Sequence, residues 1–134
     1  MKWLGLTLLV VAVAGGATAY AFGGSTGAGQ AAYALVDPNG GTPRLVDAHT
    51  SGFVAVSVGV AGQGDYCLTP APGVNVVDTA AVASEEAFYS NAAGFVTVRY
   101  PPSPQNCAAG QLEIKTFDQN VALSNQIAFT VDVP

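Results

Sequence analysis

The chain has 134 residues, of which 50% are hydrophobic and only 10% are charged, and nine acids against four bases give a formal net charge of −5. This length suits a single domain, and the low charge content excludes a coiled coil or a charged disordered chain. Four bases do not make the basic surface that nucleic acid requires, so no nucleic-acid partner is expected. Two cysteines and one histidine do not form a four-ligand zinc site without carboxylates. We therefore expect no metal and no other cofactor.

Residues 1–21 have the layout of a secretory signal peptide. Lys2 gives a positive start, an uncharged apolar stretch runs from Trp3 to Ala14, and small residues continue to Ala21. The small side chains favour cleavage after Ala21, with cleavage after Ala19 as the alternative. An uncleaved anchor is the competing interpretation, because the uncharged stretch is just long enough to span a bilayer. We expect a secreted protein that has no membrane segment after cleavage.

Residues 22–30 are rich in glycine and predict a flexible leader, whereas residues 31–134 predict a domain of short β-strands. Hydrophobic and polar residues alternate along most of this domain, and turn-forming residues interrupt the alternation at regular intervals. Strands are expected at 31–36, 45–48, 53–60, 65–69, 95–100, 112–117 and 127–133, with 74–83 as one buried strand or two short ones. A helical turn is possible at 85–91. This pattern of seven to nine short strands predicts an all-β fold, an antiparallel immunoglobulin-like β-sandwich, with a small barrel as the alternative.

In three of these strands, the alternation of residues predicts which side chains share a face. In the strand at 53–60, the valines share one face, at positions 54, 56, 58 and 60. In the strand at 112–117, one face carries Leu112, Ile114 and Thr116, and the opposite face carries Glu113, Lys115 and Phe117. In the last strand the apolar side chains are expected to point inward, and these are Ile127, Phe129, Val131 and Val133. Thr130 and Asp132 are then expected to point outward.

The two cysteines, Cys67 and Cys107, lie forty positions apart in a chain that is expected to be exported. An even number of cysteines outside the cytoplasm favours a structural disulfide between them. A redox pair is the alternative, but the chain has no C-x-x-C spacing, and no histidine or basic residue adjoins either cysteine. We therefore predict one disulfide, Cys67–Cys107.

The order of features from Val54 onward also carries a resemblance. The run Gly64-Asp65-Tyr66-Cys67-Leu68 precedes the second cysteine, which is followed by Leu112 to Asp118 and by Ala128-Phe129-Thr130-Val131. This order resembles a group of small secreted bacterial domains that have a G-x-Y-C strand, a later cysteine and a terminal F-x-V-x-V strand. The resemblance spans roughly residues 31–134. It implies a secreted, disulfide-linked β-sandwich, and it supplies no functional residues, because the group has no established activity.

Three patterns that suggest catalysis or metal binding have simpler interpretations. The run from Asp37 to Gly41 (DPNGG) resembles the start of a calcium loop but lacks the later glutamate, so it predicts a hairpin turn with a left-handed Gly40. The trio Asp47–His49–Ser51 lies too close together on one predicted strand to form a catalytic triad. Glu85 and Glu86 would not face each other on a strand or a helix, as the carboxylates of a glycosidase do. We expect no catalytic residue and no enzyme activity.

The most unusual segment contains Tyr100, Pro101, Pro102, Ser103 and Pro104. Prolines fix the backbone and the disulfide would anchor one end, which favours a preorganised interaction loop, with a stiff sandwich corner as the simpler interpretation. Among six aromatic residues of the predicted domain, most rings are expected in the core: Tyr66, Phe88, Tyr89, Phe95, Tyr100 and Phe117. Tyr89 and Tyr100 border polar loops and are the candidate ligand contacts.

Taken together, these patterns predict a non-catalytic extracellular module that binds an unidentified protein or glycan by contact. A carrier of a small ligand or glycan is the main alternative, and a cleft lined by the aromatic residues would favour it. A protease inhibitor that presents the Pro101–Pro104 loop is a third possibility.

Overall fold

The computed structural model describes residues 31–76 and 78–134, so the predicted signal peptide (1–21) and leader (22–30) lie outside the described residues. The described part contains eight β-strands: β1 (Ala32–Asp37), β2 (Arg44–Leu45), β3 (Phe53–Val58), β4 (Asp65–Pro70), β5 (Val82–Glu86), β6 (Gly94–Arg99), β7 (Leu112–Asp118) and β8 (Ala128–Val133). Two short 3-10 helices, Asn39–Gly41 and Asp47–His49, flank β2. In this part of the chain, no helix is long and apolar enough to span a bilayer.

The strands form two antiparallel four-stranded sheets, which confirms the predicted all-β sandwich. The first sheet has the order β2-β1-β8-β5 and the second has the order β3-β4-β7-β6. The first and last strands are direct partners, and their register runs from Ala32–Val133 to Val36–Phe129.

The core lies between the sheets and is built from the inward faces of their central strands. Tyr66 of β4 and Phe129 of β8 come from opposite sheets, and their ring centroids are 5.4 Å apart. The predicted faces of the last strand are confirmed, because its apolar side chains are buried whereas Thr130 and Asp132 lie outside. The buried cluster comprises Ala32, Ala34, Val36, Phe53, Tyr66, Leu68, Val74, Val76, Leu112, Ile114, Phe129, Val131 and Val133.

A β-bulge changes the predicted valine face of β3. The register with β4 shifts between Phe53 and Ala55, and Val54 is left 60% exposed. A bulge inserts one unpaired residue, so the pattern of inward and outward side chains after the bulge is shifted by one position relative to the pattern before it. Phe53 is therefore buried, Val56 packs against the core, and Val60 is exposed beyond the end of the strand.

Three other predicted elements differ from the structure. Only the end of the predicted 74–83 segment is a strand, since β5 begins at Val82 and residues 78–81 lie outside any strand. The possible helical turn at 85–91 is wrong at its start, because Glu85 and Glu86 belong to β5 and a turn follows at 87–89. The predicted 45–48 strand is also shorter than expected, and His49 lies in a 3-10 helix rather than on a strand.

The run Asp37–Gly41 forms the predicted hairpin turn between β1 and β2. Gly40 has a left-handed φ of 66°, and Asn39 precedes it with a φ of 43°. The Asp37 carboxylate accepts a hydrogen bond from the Asn39 N–H at 2.8 Å and is paired with Arg44 at 2.7 Å. The acidic side chain of this turn is therefore bound within the turn itself.

The disulfide joins Cys67 of β4 to Cys107 in the loop before β7, and the two Cα atoms are 5.5 Å apart. We expect the double variant Cys67→Ala/Cys107→Ala to lose about 4 kcal/mol of unfolding free energy, because a loop of this length is no longer closed in the unfolded chain. Urea unfolding monitored by circular dichroism measures the loss. Reduced wild-type protein is the matched control and should be destabilised to a similar extent, whereas an unchanged urea midpoint in both would contradict the stabilising role of the bridge.

Candidate functional site

The two sheets differ in what covers their outer faces. The loop between β6 and β7 lies across the outer face of the second sheet, where it is held by the disulfide. The outer face of the first sheet contains an open groove of about 550 Å³. The covered face and the open face carry different parts of the predicted interaction residues.

Glu113 is the unexpected residue of the covered face. Alternation correctly places Leu112, Ile114 and Thr116 inside, yet Glu113 on the opposite face is also fully buried. Its carboxylate accepts hydrogen bonds from the Ser103 N–H at 2.5 Å and from Asn106 Nδ2 at 2.9 Å, and Lys115 Nζ lies 3.3 Å away. Buried carboxylates need such donors, so Glu113 ties the loop to the sheet.

This clamp limits what the predicted interaction loop presents to a partner. Pro102 and Ser103 are buried, whereas Pro101 and Pro104 are exposed and Tyr100 packs against the core. Beside the loop is a recess of only about 150 Å³. Pro101 and Pro104 are therefore the exposed positions of this segment.

Asp65 lies beneath the same covered face and is also fully buried. Burial raises the pKa of Asp65, Lys115 opposes this rise, and the neighbouring Glu113 carboxylate adds to it. Burial alone would raise the pKa of Glu113 too, but hydrogen bonds from Ser103, Asn106 and Lys115 hold it below its ordinary value. The two carboxyls therefore titrate in opposite directions from their ordinary values, and both are shielded from solvent.

The groove on the first sheet is built from four elements that are distant in the sequence. Tyr33 and Leu35 of β1 lie beside Asp132 and Thr130 of β8, because these pairs are in register and point outward. His49 lines the groove from the second 3-10 helix. β5 contributes its last residue, Glu86, and the turn that follows it contributes Phe88 and Tyr89.

Glu86 holds this turn in place through its carboxylate. One oxygen accepts a hydrogen bond from the Phe88 N–H at 3.0 Å and the other accepts one from the Tyr89 N–H at 2.8 Å. The Ser90 hydroxyl donates to the Glu86 carbonyl and accepts from the Ala128 N–H at 2.9 Å, which fastens the turn to β8. The turn is thus preorganised, and it fixes the positions of two aromatic residues.

Phe88 and Tyr89 form a corner of aromatic rings. Their centroids are 5.1 Å apart and the ring planes meet at 77°. Phe88 is 84% exposed and Phe95 is 41% exposed, so the expectation that most rings lie in the core is wrong for these two. Phe95 instead stacks on Phe117 of the neighbouring strand in the second sheet, and the two ring centroids are 4.9 Å apart.

The groove is acidic. Asp132 and Glu86 line it, and no lysine or arginine within residues 31–76 and 78–134 does so. The basic residues of the described chain are held elsewhere, because Arg44 pairs with Asp37, and Arg99 and Lys115 contact Glu113. A groove of this volume, with aromatic walls and a few polar groups, has the properties of a small-ligand site.

The structure separates the two candidate ligand contacts. Tyr89 lines the groove, whereas Tyr100 lines the small recess by the proline loop. The trio Asp47, His49 and Ser51 does not line one site together, because only His49 reaches the groove. Within the described ranges, no cluster of three or more His, Cys, Asp or Glu side chains is placed to hold a metal ion.

Sequence reasoning missed Tyr33 and Asp132 as groove residues, and it named Phe88 only as one of six aromatic residues that could line a cleft. The sequence gives only a weak signal for Tyr33, which is a large ring between two alanines, Ala32 and Ala34, on a predicted strand. Comparisons of the chain with family models, with curated proteins and with solved structures find no match. The groove is therefore described from its own geometry.

Replacing Glu113 with glutamine should destabilise the fold by about 2 kcal/mol near neutral pH, because the charge-assisted hydrogen bonds from the loop are lost. Because the pKa of Glu113 is lowered in the folded protein, its ionised carboxylate stabilises the fold at pH values above its ordinary pKa of 4.5. This stabilisation is lost as the pH falls through the pKa of the folded state. The difference in unfolding free energy between Glu113→Gln and wild type should therefore shrink in acid. Urea titrations at several pH values measure it, and a difference that grows in acid would contradict the assignment.

Asp65→Asn is predicted to show the opposite pH trend. The pKa of Asp65 is raised from 3.8 because its ionised form is disfavoured in the folded protein. The wild-type protein therefore loses unfolding free energy as the pH rises through the pKa of the folded state. The asparagine causes no such loss, and the stability of the variant relative to wild type should therefore improve with rising pH. The same urea titrations test this, and a relative stability that falls with rising pH would contradict the raised pKa of Asp65.

Proposed function

We propose that the chain is a secreted, non-catalytic binding protein with an immunoglobulin-like sandwich, and that it holds its ligand in the groove between β1, β8 and the turn after β5. The N-terminal sequence and the disulfide support secretion, because structural disulfides persist in oxidising compartments. The strand order supports the immunoglobulin-like assignment. The order β3-β4-β7-β6 matches the A-B-E-D sheet of an immunoglobulin domain, and β5-β8-β1 matches its C-F-G sheet, with β1 in the place of the last strand, G.

One observation carries the binding role: a rigid turn presents an almost fully exposed phenylalanine beside a groove. Phe88 is 84% exposed and its N–H is bound by Glu86. An exposed aromatic ring gains free energy when a ligand covers it, and a turn that is already ordered loses little entropy on binding. Aromatic anchors of this kind dominate the binding energy of many interfaces.

The groove favours the small-ligand alternative over recognition through the proline loop. The cavity of about 550 Å³ lies within the usual range for small ligands, whereas the recess beside the loop measures about 150 Å³. A protease-inhibiting loop needs accessible contact residues, and Pro102 and Ser103 are buried. Tyr89, a predicted ligand contact, lines this groove.

The carboxylate of Glu86 supports a binding role rather than catalysis. Both of its oxygens accept backbone hydrogen bonds from the turn, at 3.0 and 2.8 Å. A general acid or base has to exchange a proton with the substrate, and an oxygen that is held by the protein's own backbone is poorly placed to do so. Glu86 therefore shapes the groove and adds negative charge to it.

Titration of ¹⁵N-labelled protein with a panel of sugars, amino acids and amines should identify ligands whose amide shifts cluster at the groove. Phe88→Ala should then weaken binding about tenfold, which corresponds to about 1.4 kcal/mol. Stability should change by less than about 0.5 kcal/mol, because the ring is exposed.

Phe95→Ala is the matched control, since Phe95 is an exposed phenylalanine on the other sheet. It should leave binding unchanged. Shifts that cluster at the Tyr100–Pro104 loop, or equal losses in the two variants, would contradict a ligand site in the groove.

A further inference from the structure

We propose that the ligand of the groove is a quaternary ammonium cation, whose positive nitrogen carries four alkyl groups and no N–H donor. This inference rests on the proposed binding function and names the chemical class that the groove selects. Two features of the groove carry it: the charge of the lining and the arrangement of the rings.

The charge of the groove favours a cation. Asp132 and Glu86 line it without a lysine or arginine from the described ranges, and the chain as a whole carries a net charge of −5. Within residues 31–76 and 78–134, no side chain is paired with the Asp132 carboxylate by a hydrogen bond or an ion pair. An uncompensated carboxylate beside apolar walls attracts a positive ligand and repels an anionic one.

The aromatic rings give the cation a specific seat. Phe88 and Tyr89 meet at 77°, and Tyr33 stands on the strand across the groove. Aromatic faces carry partial negative charge, and several rings set at an angle are the arrangement by which proteins bind quaternary ammonium groups. The exposed face of Phe88 is available for such a contact.

The test compares choline with its neutral isostere 3,3-dimethylbutan-1-ol, which has the same shape and no charge. We expect choline to bind at least tenfold more tightly at low salt, with amide shifts centred on residues 86–89 and 130–132. Added sodium chloride should weaken choline binding, because salt screens the attraction of the carboxylates. Phosphocholine should bind less tightly than choline, because the carboxylates of the groove repel its phosphate.

Two exposed positions supply the variants. Asp132→Asn should lower the affinity for choline several-fold and leave that for the neutral isostere unchanged. Phe88→Leu keeps an apolar side chain but removes the ring, so it should weaken choline binding, while Phe95→Leu on the other sheet should not. Thermal melting should show that these substitutions leave the fold intact, because Asp132 and Phe88 are exposed.

The outcomes separate this inference from the function on which it rests. Equal affinity for choline and the neutral isostere, with shifts in the groove, would overturn the cation and leave the binding function standing. If neither compound nor any member of the broader panel shifts groove residues, the proposed binding function fails as well. Tighter binding of choline, with a loss on Asp132→Asn, supports both.

Discussion

The groove depends on the contact between the Glu86 carboxylate and the backbone of the turn that follows it. Both oxygens accept an N–H group, from Phe88 and from Tyr89, and this fixes the two rings at the edge of the first sheet. The carboxylate thus determines the shape of the groove and part of its charge.

The two outer faces of the sandwich use their charged residues in different ways. On the second sheet, Glu113 is buried under a loop and is stabilised by Ser103, Asn106 and Lys115, next to the disulfide. The basic residues of the described chain all contact carboxylates outside the groove. A chain with few charges therefore concentrates its positive groups away from the groove, and the open face stays negative.

The sequence predicts the layers of this fold better than it predicts the site. Alternation identifies the buried face of β8 and the inward face of β7, and the two cysteines predict the bridge. It does not predict the burial of Glu113, because alternation shows which face of a strand a residue occupies and not which loop covers that face. The bulge at Val54 is missed for a related reason, since an inserted residue leaves the composition of the strand unchanged. The groove combines β1, β8, a 3-10 helix and a turn, and its lining follows from the pairing of the first strand with the last, which no local pattern contains.

The central claim is that the turn after β5 is already ordered before any ligand binds. Backbone ¹⁵N relaxation of the free protein measures this directly. The account predicts order parameters of about 0.85 for the amides of Phe88 and Tyr89, as in the rigid strands β5 and β8 on either side. Values below about 0.6 at these two amides, with rigid flanking strands, would contradict a preformed groove.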